Sequence, residues 1–419
     1  MRITSARTAI AAGIAGSAVT AGTVIALRPG RYPDGKEGLT AGVPTHPWTT
    51  GNSAELLVEY EEFLPRLYTD LRAARQVINI VEYNWEPSGP GKQIADILKA
   101  KARSGVEVNV MTDKRGSMGI DSTTPAREAE RYFEDLRSAG VNVIVTDPGG
   151  NKNPFGLELD HRKLFDIDHR VSYTGGLGIA GSKAGKYQDW HDLMLRLEGP
   201  ASAQAGVEFL GEWRTAGGQV SRAQTDAFGS AMRAPGGQKT SGPATARMLP
   251  NTPGLGLDAT DDFFRAASSD SRRLWTMTPY IGDRQVQAAL IDAARAGKDV
   301  RVLVPGPGSK NNGPLLGISR TFYRDMIEAG VKVFEFPRMM HAKLWMTDDQ
   351  VTVGSTNLSD GSIDEYKELS AAVRDPKTLR KAERMFIEDI RQSRQVTTSD
   401  FGTKDRVLEK LREVSQFEF

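Results

Sequence analysis

The chain has 419 residues, with 54 Lys and Arg against 53 Asp and Glu, so a formal net charge of +1 gives no global pull toward nucleic acid. It has no cysteine, which excludes disulfides, thiolate nucleophiles and Cys-ligated zinc. At 39% hydrophobic and 26% charged residues it has the balance of a globular protein with material for two or three cores.

At the N-terminus, two arginines in MRITSAR precede an uncharged run over 8–27, and RPGR follows. Residues 1–30 therefore read as an export signal or a membrane anchor, although Ala and Gly insert weakly. The Gly-, Pro- and Thr-rich residues 31–50 read as linker. A first domain spans 51–216. In it RQVINIVEYNW (75–85) is a buried strand, 94–113 a helix ending near Gly105 followed by a strand, and 132–147 again helix, glycine, strand. A hairpin-like segment, HRKLFDIDHRVSYTGG (161–176), closes the series. The low-order stretch 217–256 reads as a second linker. A second domain, 257–396, then repeats the order: RRLWTMTPYIGD (272–283), LIDAARAGKDVRVLVPG (290–306), FYRDMIEAGVKVFEF (322–336) and HAKLWMTDDQVTVGSTN (341–357). The tail, 397–419, places Val407, Leu408, Leu411 and Val414 at helical spacing and reads as a helix, docked on its own domain or lying on a membrane.

Matching positions in the two series lie 180 to 197 residues apart, too far for a solenoid repeat. Alternating strands and helices imply an α/β sheet covered by helices in each copy. The expected fold is two duplicated α/β/α sandwich domains, related by a pseudo-twofold and packed face to face, with one site at their interface.

Residues i and i+2 of a strand share a face, so His161 projects beside Lys163, and His341 beside Lys343. Asp168 and Asp348 each fall seven residues after their histidine, at the turns, and Gly175, Gly176, Gly354 and Ser355 let a ligand approach the backbone. One such histidine is ordinarily structural. Two copies of His-x-Lys-x4-Asp, each closing the same pattern, point to chemistry. Two imidazoles can divide nucleophile and general acid, and two ammonium groups can grip one phosphate. No acidic cluster has metal-ligand spacing, so no metal or other cofactor is called for.

This doubled motif resembles the phospholipase D superfamily over residues 55–395. VMTDKRGS (110–117), DWHDLMLRLEGPA (189–201) and GSTNLSDGSIDEYKE (354–368) are similar to segments of its cardiolipin synthase-like branch. The resemblance implies a phosphodiesterase or phosphatidyltransferase with His161 as nucleophile and His341 as the acid and then base. It implies that Lys163, Lys343 and Asn357 hold phosphoryl oxygens, with Ser355 in the same pocket. Asp192 and Glu368, 31 and 27 residues after their respective histidines, are the groups that would hydrogen-bond the distal imidazole nitrogens. Asp168 and Asp348, part of the motif, are expected to brace the hairpins. The mechanism asks for one neutral and one protonated histidine together. One departure stands out: GGLG places Gly178 where the family has Asn.

Other histidines have plainer readings. His169 in its turn is expected to face solvent, His191 to be structural, and His46 to lie in linker; Trp85 reads as core or as lining a mouth. The expected substrate is a phospholipid at a membrane surface, with water or an alcohol as acceptor, no nucleic acid, and a monomer sufficient for the site. The location is then exported or membrane-anchored, in the cell envelope or secreted. A nuclease with the same motif is the alternative, and an inactive scaffold is opposed by the presence of all four His and Lys residues.

Overall fold

A computed structural model describes residues 28–29, 46–119, 122–148, 159–179, 190–233, 242–253, 256–309, 313–402 and 417–418. The uncharged N-terminal run and the apolar positions of the tail lie outside them.

The strands of the first half are Thr49–Val58 (β1), Val77–Glu82 (β2), Glu107–Asp113 (β3), Asn142–Thr146 (β4), Lys163–Ile167 (β5), Val171–Gly175 (β6) and Leu193–Glu198 (β7). Those of the second are Ala244–Thr252 (β8), Arg273–Met277 (β9), Asp299–Pro305 (β10), Lys332–Phe336 (β11), Leu344–Met346 (β12), Val351–Gly354 (β13) and Glu368–Arg374 (β14). Across the sheet they run β11-β10-β9-β12-β13-β14-β8-β1-β7-β6-β5-β2-β3-β4. The order reads the same from either end once β8 to β14 are matched with β1 to β7, so the duplication is visible in the topology. The halves do not stack face to face. They join edge to edge through the antiparallel pair β1–β8, where Asn52 faces Ala244, into one 16-stranded sheet among the described residues, the short strands Gly256–Leu257 and Arg394–Gln395 completing it. Part of the stretch expected as a linker, 217–256, thus supplies a central strand, and it also carries a helix, Arg222–Arg233. Thr49 and Thr50, expected in the first linker, begin β1.

Period-2 alternation explains how the sheet is covered. In β12, Leu344 and Met346 point to one core and Trp345 to another; in β5, Leu164 and Phe165 divide in the same way. One face meets helices Pro200–Thr215 and Pro376–Gln392 in a core shared by both halves, including Phe209, Trp213, Ala382 and Phe386. The opposite face carries a separate core for each half, around Phe63, Phe133 and Phe165 in the first and Phe263, Tyr323 and Trp345 in the second. Strand β2, VINIVE, is buried along its whole length and pairs in parallel with β3. Burial on both faces is why its sequence shows no alternation.

The two hairpins are braced at their far ends. Asp168 and His169 both have positive φ, 55° and 52°, and the Arg170 N–H closes the turn on the Ile167 carbonyl at 3.0 Å. The Asp168 carboxylate accepts the N–H groups of Arg75, Gln76 and Val77 at 2.9, 2.8 and 2.9 Å. Asp348 accepts the Arg272 N–H at 2.8 Å. Both aspartates therefore fix the start of the neighbouring strand instead of standing with the histidines. His169 is fully buried, contrary to the solvent-facing expectation, with Nδ1 2.7 Å from Asp166 Oδ2 and its ring against Phe228. His46 is also buried and bonds Glu208 at 2.7 Å. Trp85 is core, its Nε1 donating to the Tyr132 hydroxyl at 2.9 Å.

Candidate active site

His161 and His341 precede their strands, since β5 begins at Lys163 and β12 at Leu344. Each is held in an extended segment zipped to the other half of the chain. The His161 N–H donates to the Lys367 carbonyl at 2.9 Å, and the Lys367 N–H returns to the Leu159 carbonyl at 2.9 Å. On the symmetric side, Trp190–His191 pairs with Met339–Met340, and the N–H groups of His341 and Ala342 donate to the His191 carbonyl at 2.8 and 3.1 Å. These zippers set each histidine beside the acidic residue that follows its zipper partner, Glu368 after Lys367 and Asp192 after His191.

The bracing is consequently crossed. Glu368 Oε1 and Oε2 lie 3.0 and 3.1 Å from His161 Nδ1, and Asp192 Oδ2 lies 2.5 Å from His341 Nδ1. Spacing along the chain associates Asp192 with His161 and Glu368 with His341; the fold exchanges them. A carboxylate at Nδ1 makes that nitrogen the N–H donor and leaves the Nε2 lone pair available. Gly176 is needed for this approach, because a Cβ there would sit 2.1 Å from Asp192 Oδ1.

Both lysines turn toward their histidines. Lys163 Nζ donates to the His161 carbonyl at 3.0 Å and lies 5.7 Å from the Tyr83 ring centre. Lys343 Nζ lies 2.9 Å from His341 Nε2 and 2.6 Å from its carbonyl. His341 Nε2 is thus engaged by an ammonium, whereas His161 Nε2 has no hydrogen-bond partner among the described residues. Aromatic rings frame the pair: Tyr83 meets His161 edge-on at 5.0 Å and Trp190 packs on His341 at 4.6 Å.

A cavity of about 150 Å³ opens here, lined by both histidines, Lys163, Asp192, Tyr60, Glu82, Tyr83, Asn84, Trp190, Gly176, Leu177 and Gly178. Ser355 and Asn357, expected among the phosphate contacts, are not in its wall. The Ser355 hydroxyl accepts the Leu369 N–H at 3.0 Å. Asn357 Nδ2 donates to Ser362 Oγ at 3.1 Å, and Ser362 Oγ donates to Glu368 Oε1 at 2.7 Å, so Asn357 supports, through Ser362, the carboxylate that orients His161.

Burial dominates the electrostatics. It lowers the His161 pKa, with Glu368 opposing. Burial and then the Lys343 charge push His341 down to about 4 against the pull of Asp192, and burial brings Lys343 down to about 7. Both imidazoles are neutral at pH 7, so the protein groups alone do not set the expected split in protonation.

Sequence reasoning did not find several supporting residues. Arg162 is fully buried and pairs with Asp160 at 2.6 Å and Glu212 at 3.5 Å, clamping the segment that carries His161. Asp113 accepts the N–H groups of Asp160, Arg115 and Gly116 at 3.1, 2.8 and 3.2 Å, and burial pushes its carboxyl up to about 6. Glu82 was legible as a lone carboxylate ending an apolar strand. Among the described residues no group of three His, Asp or Glu could hold a metal ion, and no helix is long and apolar enough to cross a membrane.

Residues 67–213 and 264–390 match the family described as cardiolipin synthase, PLD-like domain. The chain is 29% identical over 370 residues to a cardiolipin synthase of Alkalihalophilus pseudofirmus, covering 86% of this chain and 70% of that one. It is 28% identical to cardiolipin synthase A of Shigella boydii, covering 78% and 66% respectively, so it spans about two thirds of the length of these relatives. Among solved structures it is similar to a phosphatidylserine synthase of Haemophilus influenzae, with a TM-score of 0.67, 15% identity and coverage of 89% and 94%. A polyphosphate kinase of Porphyromonas gingivalis shares the fold more loosely, with a TM-score of 0.56, 15% identity and coverage of 87% and 53%.

Proposed function

The chain belongs to the cardiolipin synthase, PLD-like domain family, and from that premise we propose that it cleaves and transfers phosphatidyl groups of phospholipids through a covalent phosphohistidine. The observation that carries this reading is the crossed pair: two Nδ1-braced histidines from two halves, with a lysine beside each, at one cavity. Relatives named cardiolipin synthase support a phospholipid as the substrate.

In this reading His161 Nε2, the less engaged of the two, attacks phosphorus as the P–O bond to the leaving alcohol breaks. That alcohol takes its proton from the His341 side of the site. Lys343 and His341, 2.9 Å apart, carry that proton between them, and the anionic phosphodiester favours its residence on the imidazole. An acceptor hydroxyl then attacks phosphorus, its proton passes to His341 Nε2, and the P–N bond to His161 breaks. Water yields hydrolysis and an alcohol yields transfer. Lys163 and Lys343 offset the charge developing on the phosphoryl oxygens. The substrate places the work at a membrane surface, for which the uncharged run 8–27 serves as leader or anchor. One chain supplies all four His and Lys residues. A nuclease is the less supported reading, given the net charge of +1 and the relatives.

The test incubates purified protein with phosphatidylglycerol vesicles, phosphatidylcholine vesicles and single-stranded DNA, with and without EDTA and glycerol. Lipid turnover should persist in EDTA and disappear in His161→Ala and His341→Ala. DNA cleavage without lipid turnover would overturn the proposal. Cardiolipin as product selects the synthase and phosphatidic acid the phospholipase.

A further inference from the structure

Glu82 stands out once the roles above are assigned. It ends β2, is fully buried, and lines the same cavity as His161 and His341, yet neither carboxyl oxygen has a hydrogen-bond partner of good geometry among the described residues. Leaving a buried polar group unmet is costly, so an unpartnered carboxyl in a cavity wall asks for a partner from outside the protein.

The duplication gives an internal control. Glu82 lies opposite Lys163 in the β2–β5 register, and Met277 opposite Leu344 makes Thr278 its counterpart beside Lys343. The Thr278 hydroxyl is satisfied, donating to the Tyr280 carbonyl at 2.9 Å. The halves differ again at the end of each hairpin. Asn357 of the second half corresponds to Gly178 of the first, which has no side chain and whose carbonyl accepts the Tyr60 hydroxyl at 2.9 Å. The first half has thus lost an amide and gained an unsatisfied carboxyl around one volume, and the described cavity lies on that side. A cavity of about 150 Å³ has room for a small polar headgroup.

We propose that Glu82 recognises a hydroxyl of the transferred alcohol, selecting polyols of the glycerol class over simple monohydric alcohols. This rests on the phosphatidyl-transfer reading and names the alcohol that site takes. One hydroxyl of the polyol attacks phosphorus and gives its proton to His341, while a second hydroxyl bonds Glu82. Burial pushes the Glu82 carboxyl up to about 8, only partly offset by Lys163 and the Ile179 N–H. A neutral carboxyl both donates to and accepts from a hydroxyl, without adding a charge beside the phosphate.

The experiment uses the full chain on phosphatidylglycerol vesicles with deuterated glycerol or 1-propanol as acceptor, and mass spectrometry of the labelled lipids. The readout is the ratio of kcat/KM for glycerol to that for 1-propanol. Glu82→Leu should lower this ratio by about tenfold or more, the scale of one lost hydroxyl contact in a binding site, and Glu82→Gln by much less. If Glu82→Leu does not fold, Glu82→Thr installs the residue of the other half and carries the same expectation. A ratio unchanged in the variants, however far both rates fall, would overturn the subsite and leave the transfer reading standing. A wild-type protein inert with both acceptors would overturn the transfer reading and the subsite with it.

Discussion

In the proposed mechanism, Lys343 sets function against stability. Its folded pKa is about 7, against an ordinary 10.5, because burial disfavours the ammonium. Below pH 7 the lysine is charged in both states and the full burial cost applies, on the order of a few kcal/mol. Between 7 and 10.5 the unfolded chain holds the extra proton, so this cost fades as pH rises. Lys343→Met should therefore raise the melting temperature, and more at pH 6 than at pH 10, while lowering transfer by on the order of 10²-fold or more. Calorimetry at the two pH values reads the first effect; a lower melting temperature at pH 6 would contradict it. The crossed carboxylates make a different case. Asp192→Asn and Glu368→Gln keep shape but remove the charge that fixes each tautomer. Each should lower kcat by on the order of 10²-fold with little change in KM, and steady-state kinetics distinguishes this from a binding defect.

The short pairing of 190–191 with 339–340 is the element that positions His341, and His191 locks it. His191 Nδ1 lies 2.7 Å from Glu59 Oε1, and Nε2 lies 3.1 Å from Asp389 Oδ2. Burial works against its charge, yet these two carboxylates lift its pKa to about 9. A raised pKa stabilises fully below the unfolded value of 6.5, and the contribution disappears as pH rises through 9. His191→Asn should cost about 2–3 kcal/mol at pH 6, and the gap to wild type should close by pH 10; a gap constant with pH would show that packing alone is at work. The sequence made such elements only partly legible. Strands, helices and the paired His-x-Lys motifs followed from local periodicity. The crossed braces did not, since His161 and Glu368 are 207 positions apart and meet only through the zipper at Lys367. β8 was hidden because ATARMLPNT lacks an apolar run and follows a Gly- and Pro-rich stretch; its burial comes from lying at the centre of a sheet that neither half forms alone. His169 was misplaced because a turn normally faces water, whereas here Gly206 of a packed helix leaves room for the ring: a Cβ at that position would lie 2.2 Å from its Nδ1.

At the scale of the molecule, duplication without separation has a mechanical consequence. Two domains that met only at a site could unfold independently. Here the β1–β8 pair continues one sheet through both halves, and one core on its shared face draws Leu164, Leu193 and Phe209 from the first and Leu344, Val353 and Phe386 from the second. Opening either half would expose that core and, through Lys367 and His191, release the histidine of the other. Transfer activity, tryptophan fluorescence and heat absorption should therefore be lost in a single coincident transition. Trp85 and Trp213 report the first half, and Trp275 and Trp345 the second. Two resolved transitions, with activity following only the first, would mean that the shared face does not couple the halves. A single transition also predicts that Asp192→Asn and Glu368→Gln, at sites joined by one rigid sheet, combine non-additively in kcat, because in the proposed mechanism each brace serves the same phosphoryl transfer.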